Sequence, residues 1–192
     1  MGHSQADKAI THERIVTVAA RRYRERGMAG FAIADVMKEA GLTVGGFYKH
    51  FTSREALIAA ALLASFKELD AWEAEAQSVE QILREKFLTP EHRDDPGSGC
   101  AICALVDSVA KGTTDTRATY TARVKRSVAL SESLLDLETA RERRARALLL
   151  LSASVGAIGL SRAISDPDFS NEILSMVADQ LAALAQPRTL QA

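Results

Sequence analysis

The chain has 192 residues, room for one medium domain or for a small head with a larger body. Hydrophobic residues make up 47% and aromatics only 5%, with Ala and Leu foremost, four prolines and scarcely any period-two β-branched run, a balance that argues against a mainly β fold. Two cysteines exclude a disulfide-rich scaffold. The net charge of −1 conceals an asymmetry: residues 1–54 hold nine Lys/Arg against five Asp/Glu, and the remainder fifteen against twenty. A basic first quarter suits an anionic partner, while an acidic body limits indiscriminate binding. No basic stretch followed by an apolar one opens the chain, so no export signal is expected. The longest mostly apolar run, Ala147–Leu160, is expected to be too short for a bilayer, and a soluble cytoplasmic protein follows.

In chain order, the first helix is expected over Thr11–Arg26, with Ile15, Val18, Ala19 and Tyr23 on one stripe and Gly27 as its stop. Arg21, Arg22, Arg24 and Arg26 crowd its last turn and read as a solvated face and dipole partners before DNA contacts. A short second helix carries Ile33, Val36, Met37 and Ala40 and ends at Gly41. Thr43 opens a very short third helix to Lys49. Thr52–Glu55 fits a capping box, so a long fourth helix starts there and runs through Trp72. Val79 to Phe87 suggests a fifth, stopped before Pro90, and Glu91–Gly99 reads as a flexible loop. Sixth and seventh stripes follow at Ile102–Val109 and Tyr120–Leu135, an eighth helix at Arg141–Ile164, and a ninth from Ile173 closed by Pro187. The expected fold is all-α with about nine helices: a head over 1–52 and a larger body over 53–192.

Two short helices joined by Ala40-Gly41-Leu42, between two longer ones, make a helix-turn-helix. The second short helix must be slim enough to enter a major groove. Gly45 and Gly46 lack side chains and would let backbone approach DNA, although each weakens a helix by roughly 1 kcal/mol. The run from Ile33 to Phe51, with Gly46-Phe47-Tyr48-Lys49-His50-Phe51 at its end and Ser53-Arg54-Glu55-Ala56-Leu57 after it, resembles the DNA-binding head of the TetR family of repressors. Thr11–Val16 and Arg24–Gly27 share in the resemblance.

That resemblance implies roles. Thr43 would cap the recognition helix and touch a phosphate, with Val44, Gly45 and Gly46 beside it at the groove. Tyr48 and His50 would contact phosphates, Lys49 a base or phosphate, and Arg54 the DNA backbone. Phe47 and Phe51 would be structural. The alternative for Tyr48 is a half-buried aromatic, and for His50 a group satisfying a helix end. Val44 stands where relatives often carry a polar or basic residue; it can touch a thymine methyl but cannot hydrogen-bond a guanine. Ala32 stands where a capping Ser, Thr or Gly is common, which weakens that helix start by around 1 kcal/mol.

The eighth helix is apolar nearly all round from Ala147 to Leu160, and such a helix is buried on more than one side. The alternative is a buried central helix of a monomer. The resemblance implies a homodimer through a four-helix interface, for which Leu148, Leu151, Val155 and Ile158 of the eighth helix and Val177 and Leu181 of the ninth are candidates. It also implies a pocket for a small-molecule effector, apolar or aromatic by default, with Phe66, Trp72, Phe87, Cys103 and Tyr120 as candidate lining and core packing as their alternative. Cys100-x-x-Cys103 is too little for a zinc site without two more ligands. Cys100 at a helix start could sense oxidants or electrophiles, against which stands plain core packing. The expected function is a double-stranded DNA operator-binding repressor released by a small molecule, with no cofactor and no metal. A redox-sensing repressor is one alternative. An all-helical enzyme or ligand binder is another, although the sequence has no nucleophile elbow, phosphate-cradling loop or metal motif.

Overall fold

A computed structural model describes residues 5–28 and 31–186. Among these the chain is all α, with no strand. Helix α1 (Gln5–Arg26) begins six residues before the expected start at Thr11, on a polar segment whose residues are exposed. Gly27 ends it at φ 58, its N–H donating to the Tyr23 carbonyl. Helix α2 (Ile33–Glu39) starts at Ala32 without a side-chain cap, as its sequence implies. It ends with Gly41 at φ 72. Gly41 N–H donates to Lys38 and Leu42 N–H to Met37, the paired bonds that satisfy a helix's last carbonyls. A 3₁₀ segment, Val44–Lys49, follows in place of an α-helix. Helix α3 (Arg54–Ala74) is capped by Ser53, whose Oγ accepts from Ala56 N–H, one residue later than the box expected at Thr52.

Helix α4 (Val79–Gln81) widens into a π-helical stretch, Ile82–Phe87, closed by Leu88 N–H on the Leu83 carbonyl. The polar segment after it is not all loop. Thr89 Oγ1 accepts from His92 N–H and Pro90 sits at the first position of α5 (Pro90–Asp94), so a proline that reads as a stop begins a helix. Then come α6 (Ala101–Ala110), α7 (Thr114–Leu134), α8 (Ala140–Ala163) and α9 (Pro167–Ala185). A reciprocal capping box, Thr139 with Glu142, opens α8, and Asp166 caps α9 through Asp168 and Phe169 N–H. Pro187, the expected stop of α9, lies outside the described residues.

The compact units are not divided at residue 52. Residues to Asp70 group with Pro96–Thr116, and Ala71–Asp95 with the chain from Arg117. Within the first unit the reason is visible at α1, which docks on α6 and on the turn before it. A Cβ on Gly27 would stand 2.5 Å from Ser108 Oγ, and one on Gly97 would stand 2.7 Å from Glu25 Oε1. The buried guanidinium of Arg24 donates to the Gly97 carbonyl and to Glu68, each at 2.6 Å. Arg22, also buried, binds Glu39 and Asp35, and Arg21 pairs with Glu25 and Glu39. These arginines hold the head together; Arg22 and Arg24 are not the solvated face their sequence suggests.

In the second unit α8 packs along α9, burying Ala147, Leu150, Ser154, Ala157, Ile158 and Ser161 of α8 and Leu174, Ala178, Leu181 and Ala182 of α9. By length and composition α8 is the one helix among the described residues fit to cross a bilayer, against the expectation from its apolar run. A core helix of a soluble protein passes the same test, and one side of α8 packs along α9.

Candidate nucleic-acid interface

The 3₁₀ segment is anchored from one side and open on the other. Phe47 is 1% exposed and stacks on Phe51 with ring centroids 5.6 Å apart. His12 of α1 stacks on the far side of this cluster, 4.5 Å from the Phe51 ring. Gly46 backs onto Met37, whose Cε would lie 3.7 Å from a Cβ there. The other face carries Thr43, Val44, Gly45, Tyr48 and Lys49, all exposed. Tyr48 is 76% exposed, so it is not the half-buried aromatic its alternative reading required.

Gly45 is informative because nothing inside the protein calls for it. Its φ is not positive, and a Cβ would meet nothing within 4 Å. Glycine weakens helical backbone, so a glycine with neither a steric nor a conformational duty suits a surface that something else must approach.

Beside this face, His50 is half-buried, and its Nδ1 is buried without a hydrogen-bond partner. Burial first, then the positive charge of His12, Lys8 and Lys49, holds its imidazole below the usual histidine range. The His12 and His50 rings are 6.1 Å apart. The start of α1 and the end of the 3₁₀ segment thus share one positively charged corner, suited to an anion.

Residues 15–61 match the profile of the bacterial regulatory proteins of the tetR family. Over 49 residues the chain is 39% identical to YerO of Bacillus subtilis (strain 168), described as an uncharacterized HTH-type transcriptional regulator; the match spans 26% of this chain and 17% of that protein's length. The fold extends the likeness. A TetR transcriptional regulator from Chloroflexus aurantiacus superposes with a TM-score of 0.77 at 22% identity, over 93% of this chain and 96% of that one. A TetR-family regulator from Cytophaga hutchinsonii gives 0.75 at 16% identity, over 95% and 98%. Residues 15–61 are thus a head of the tetR type, and the chain as a whole has the fold of TetR-family regulators.

Two roles implied for the TetR-family head do not match its geometry. Thr43 occupies the cap position of the 3₁₀ segment, yet its side chain makes no capping hydrogen bond. Arg54 does not face outward: its guanidinium donates to the carbonyls of Phe31 and Met28 at 3.2–3.3 Å and lies 5.8 Å from the Phe31 ring. It fastens α3 to the turn before α2, satisfying carbonyls that no helix can. Sequence alone signals a cation at a helix start, not which acceptors the tertiary fold will offer it.

The dimer candidates divide. Ile158 (0% exposed) and Leu181 (4%) belong to the subunit's own α8–α9 core. Leu151, Val155 and Val177 are half-buried, and Leu148 is exposed. Helix α8 leaves open a face of Leu148, Leu149, Ser152, Gly156, Gly159 and Leu160, at helical spacing, of which only Leu148 is among the candidates from sequence. Neither glycine there would bring a Cβ within 4 Å of anything. On α9 the exposed apolar groups are Phe169 and Met176.

Among the pocket candidates, Phe66 and Cys103 are buried in the first unit. In the second, Trp72 meets Phe87 edge-on at 6.3 Å, and Tyr120 is half-buried. Phe87 in turn meets His92 at 4.8 Å. Cys100 and Cys103 are both buried and not joined in a disulfide, which suits core packing better than oxidant sensing. Among the described residues no three His, Cys, Asp or Glu side chains stand together for a metal. A polar cleft of about 370 Å³ opens by the α8–α9 turn near Arg93, Arg162 and Ser165. Its two guanidinium groups serve the protein itself: Arg93 binds Asp94, Ser170 and Asn171, and Arg162 the carbonyls of His92 and Arg93.

Proposed function

We propose that this TetR-family regulator is a cytoplasmic repressor that binds an operator in double-stranded DNA as a homodimer and leaves it when a small molecule binds. The observation that carries the reading is the outward face of Thr43, Val44, Gly45, Tyr48 and Lys49, with a glycine at its centre that the fold itself does not need. One such segment spans few base pairs, so useful affinity calls for two, about one helical turn apart. The open apolar face of α8, with Phe169 and Met176 of α9, supports self-association through those helices. An apolar effector is the class suited to the aromatic pair Trp72 and Phe87, with Tyr120 as a further lining candidate. Release follows if the effector binds the DNA-free form better than the bound one.

Anisotropy titration against a duplex selected from a random-sequence pool tests this. Two subunits should bind per duplex. With at least two phosphates neutralised per head, log K should fall with log salt at a slope of roughly −3.6 or steeper. Equal affinity for the selected duplex and a scrambled one would overturn the reading. Quenching of Trp72, the only tryptophan, by a panel of planar aromatic compounds should pick out compounds that also release the duplex.

A further inference from the structure

The outward face of the 3₁₀ segment is poor in the groups that read purines. Guanine is read by paired donors from Arg or Lys, adenine by the amides of Asn or Gln, and cytosine by a carboxylate. Between Thr43 and His50 there is no Arg, Asn, Gln, Asp or Glu; Lys49 alone could donate in this way, and it sits at the far end. Residues at the start of a recognition helix are the ones that meet base edges. Here that place belongs to Val44, 52% exposed, whose side chain offers two methyl groups and no donor. The one apolar feature in the major groove is the C5-methyl of thymine.

Valine is short, so its methyls reach a base edge only if the backbone itself comes close. Gly45 provides for that, since no Cβ stands out beside Val44 and no neighbouring atom lies where one would be. Tyr48 is one 3₁₀ turn further on, on the same side as Gly45, because residues three apart eclipse in such a helix. Both Tyr48, 76% exposed, and Val44, 52% exposed, are open to an approaching duplex.

We infer that Val44 is a specificity-determining residue that reads a thymine methyl in each half-site, and that Gly45 lets it reach, so that the operator is selected for thymine in place of a hydrogen-bonded guanine. The inference rests on the operator-binding reading above.

The test uses the full chain and the pool-selected duplex, with single thymines replaced in turn by deoxyuridine, which removes only the C5-methyl. At one or two thymines per half-site, affinity should fall about four-fold per methyl, the ratio that ~0.8 kcal/mol per buried carbon gives. Val44→Ala should be insensitive to the same replacements, and Gly45→Ala should lose both affinity and the discrimination. If no deoxyuridine changes binding, or if Val44→Ala stays as sensitive as the parent, the assignment is wrong. Replacement of guanines by 7-deazaguanine abolishing binding instead would also overturn it, in favour of Lys49. Failure to bind any duplex specifically is a different result, which removes the operator reading itself.

Discussion

Arg24, 5% exposed on α1, donates its Nε–H to the carbonyl of Gly97, seventy-three residues away, at 2.6 Å, and its Nη2 reaches Glu68 at the same distance. The chain leaves the first unit after Asp70 and returns at Pro96, so one guanidinium holds both ends of that excursion. Arg24→Met keeps the apolar stem but strands a buried carbonyl. It is expected to cost about 1–3 kcal/mol, lowering the thermal midpoint by several degrees at roughly 2–4 °C per kcal/mol. A melting curve indistinguishable from the parent's would show that the bond contributes nothing.

Glycines 41 and 45 separate conformational need from surface need. Gly41→Ala forces a side chain into φ 72 and should destabilise by about 1–2 kcal/mol. Gly45→Ala meets open space and should leave stability unchanged or raise it by up to about 1 kcal/mol, while weakening DNA binding. Chemical denaturation of both variants, alongside anisotropy, measures the contrast. A large loss of stability in Gly45→Ala would reveal an internal role.

The two faces of α8 should respond differently to substitution. Ile158→Ala empties a fully buried site and should cost about 2–5 kcal/mol of subunit stability. Leu149→Glu on the exposed face should alter subunit stability by less than about 0.5 kcal/mol and yield monomers by light scattering. Dimers that persist with Leu149→Glu and Met176→Glu combined would place the interface elsewhere.

Acidification should destabilise the fold. His92 donates Nδ1–H to the Phe87 carbonyl at 2.6 Å. Burial, the dominant effect, holds it below its ordinary value of 6.5. His50 is shifted the same way. The unfolded chain therefore binds more protons than the folded one as pH drops below about 6.5. Stability is full above that value and is lost as pH falls through the folded pKa values. Thermal midpoints at pH 7.5 and 5.5 measure this, and His92→Gln should flatten the dependence. Equal midpoints in the parent would contradict it.

Much of this was legible because burial and helical period coincide in the head: Ile15, Ala19 and Tyr23, then Val36 and Met37, are buried as their spacing implies. What escaped had physical reasons. The start of α1 is polar and its Ile10 is exposed, so no stripe marks it. In α8 the buried set (Ala147, Leu150, Ser154, Ala157, Ile158) and the exposed set (Leu148, Leu149, Ser152, Gly156, Leu160) are alike in composition. A helix apolar on both sides has no phase to read, and Ile158 was assigned to the wrong face. Arg54 and Arg24 were opaque for another reason, since their acceptors are backbone carbonyls that only the tertiary fold brings to them.

The central claim is that the open face of the 3₁₀ segment binds DNA. The most direct measurement is the affinity of Tyr48→Ala/Lys49→Ala for the selected duplex, beside Lys125→Ala on the exposed side of α7 as control. Loss of a phosphate and a base contact from each head should weaken binding by at least about 30-fold, with the circular dichroism melt unchanged and the control at parent affinity. Parent affinity in the double variant, with the fold intact, would contradict the account.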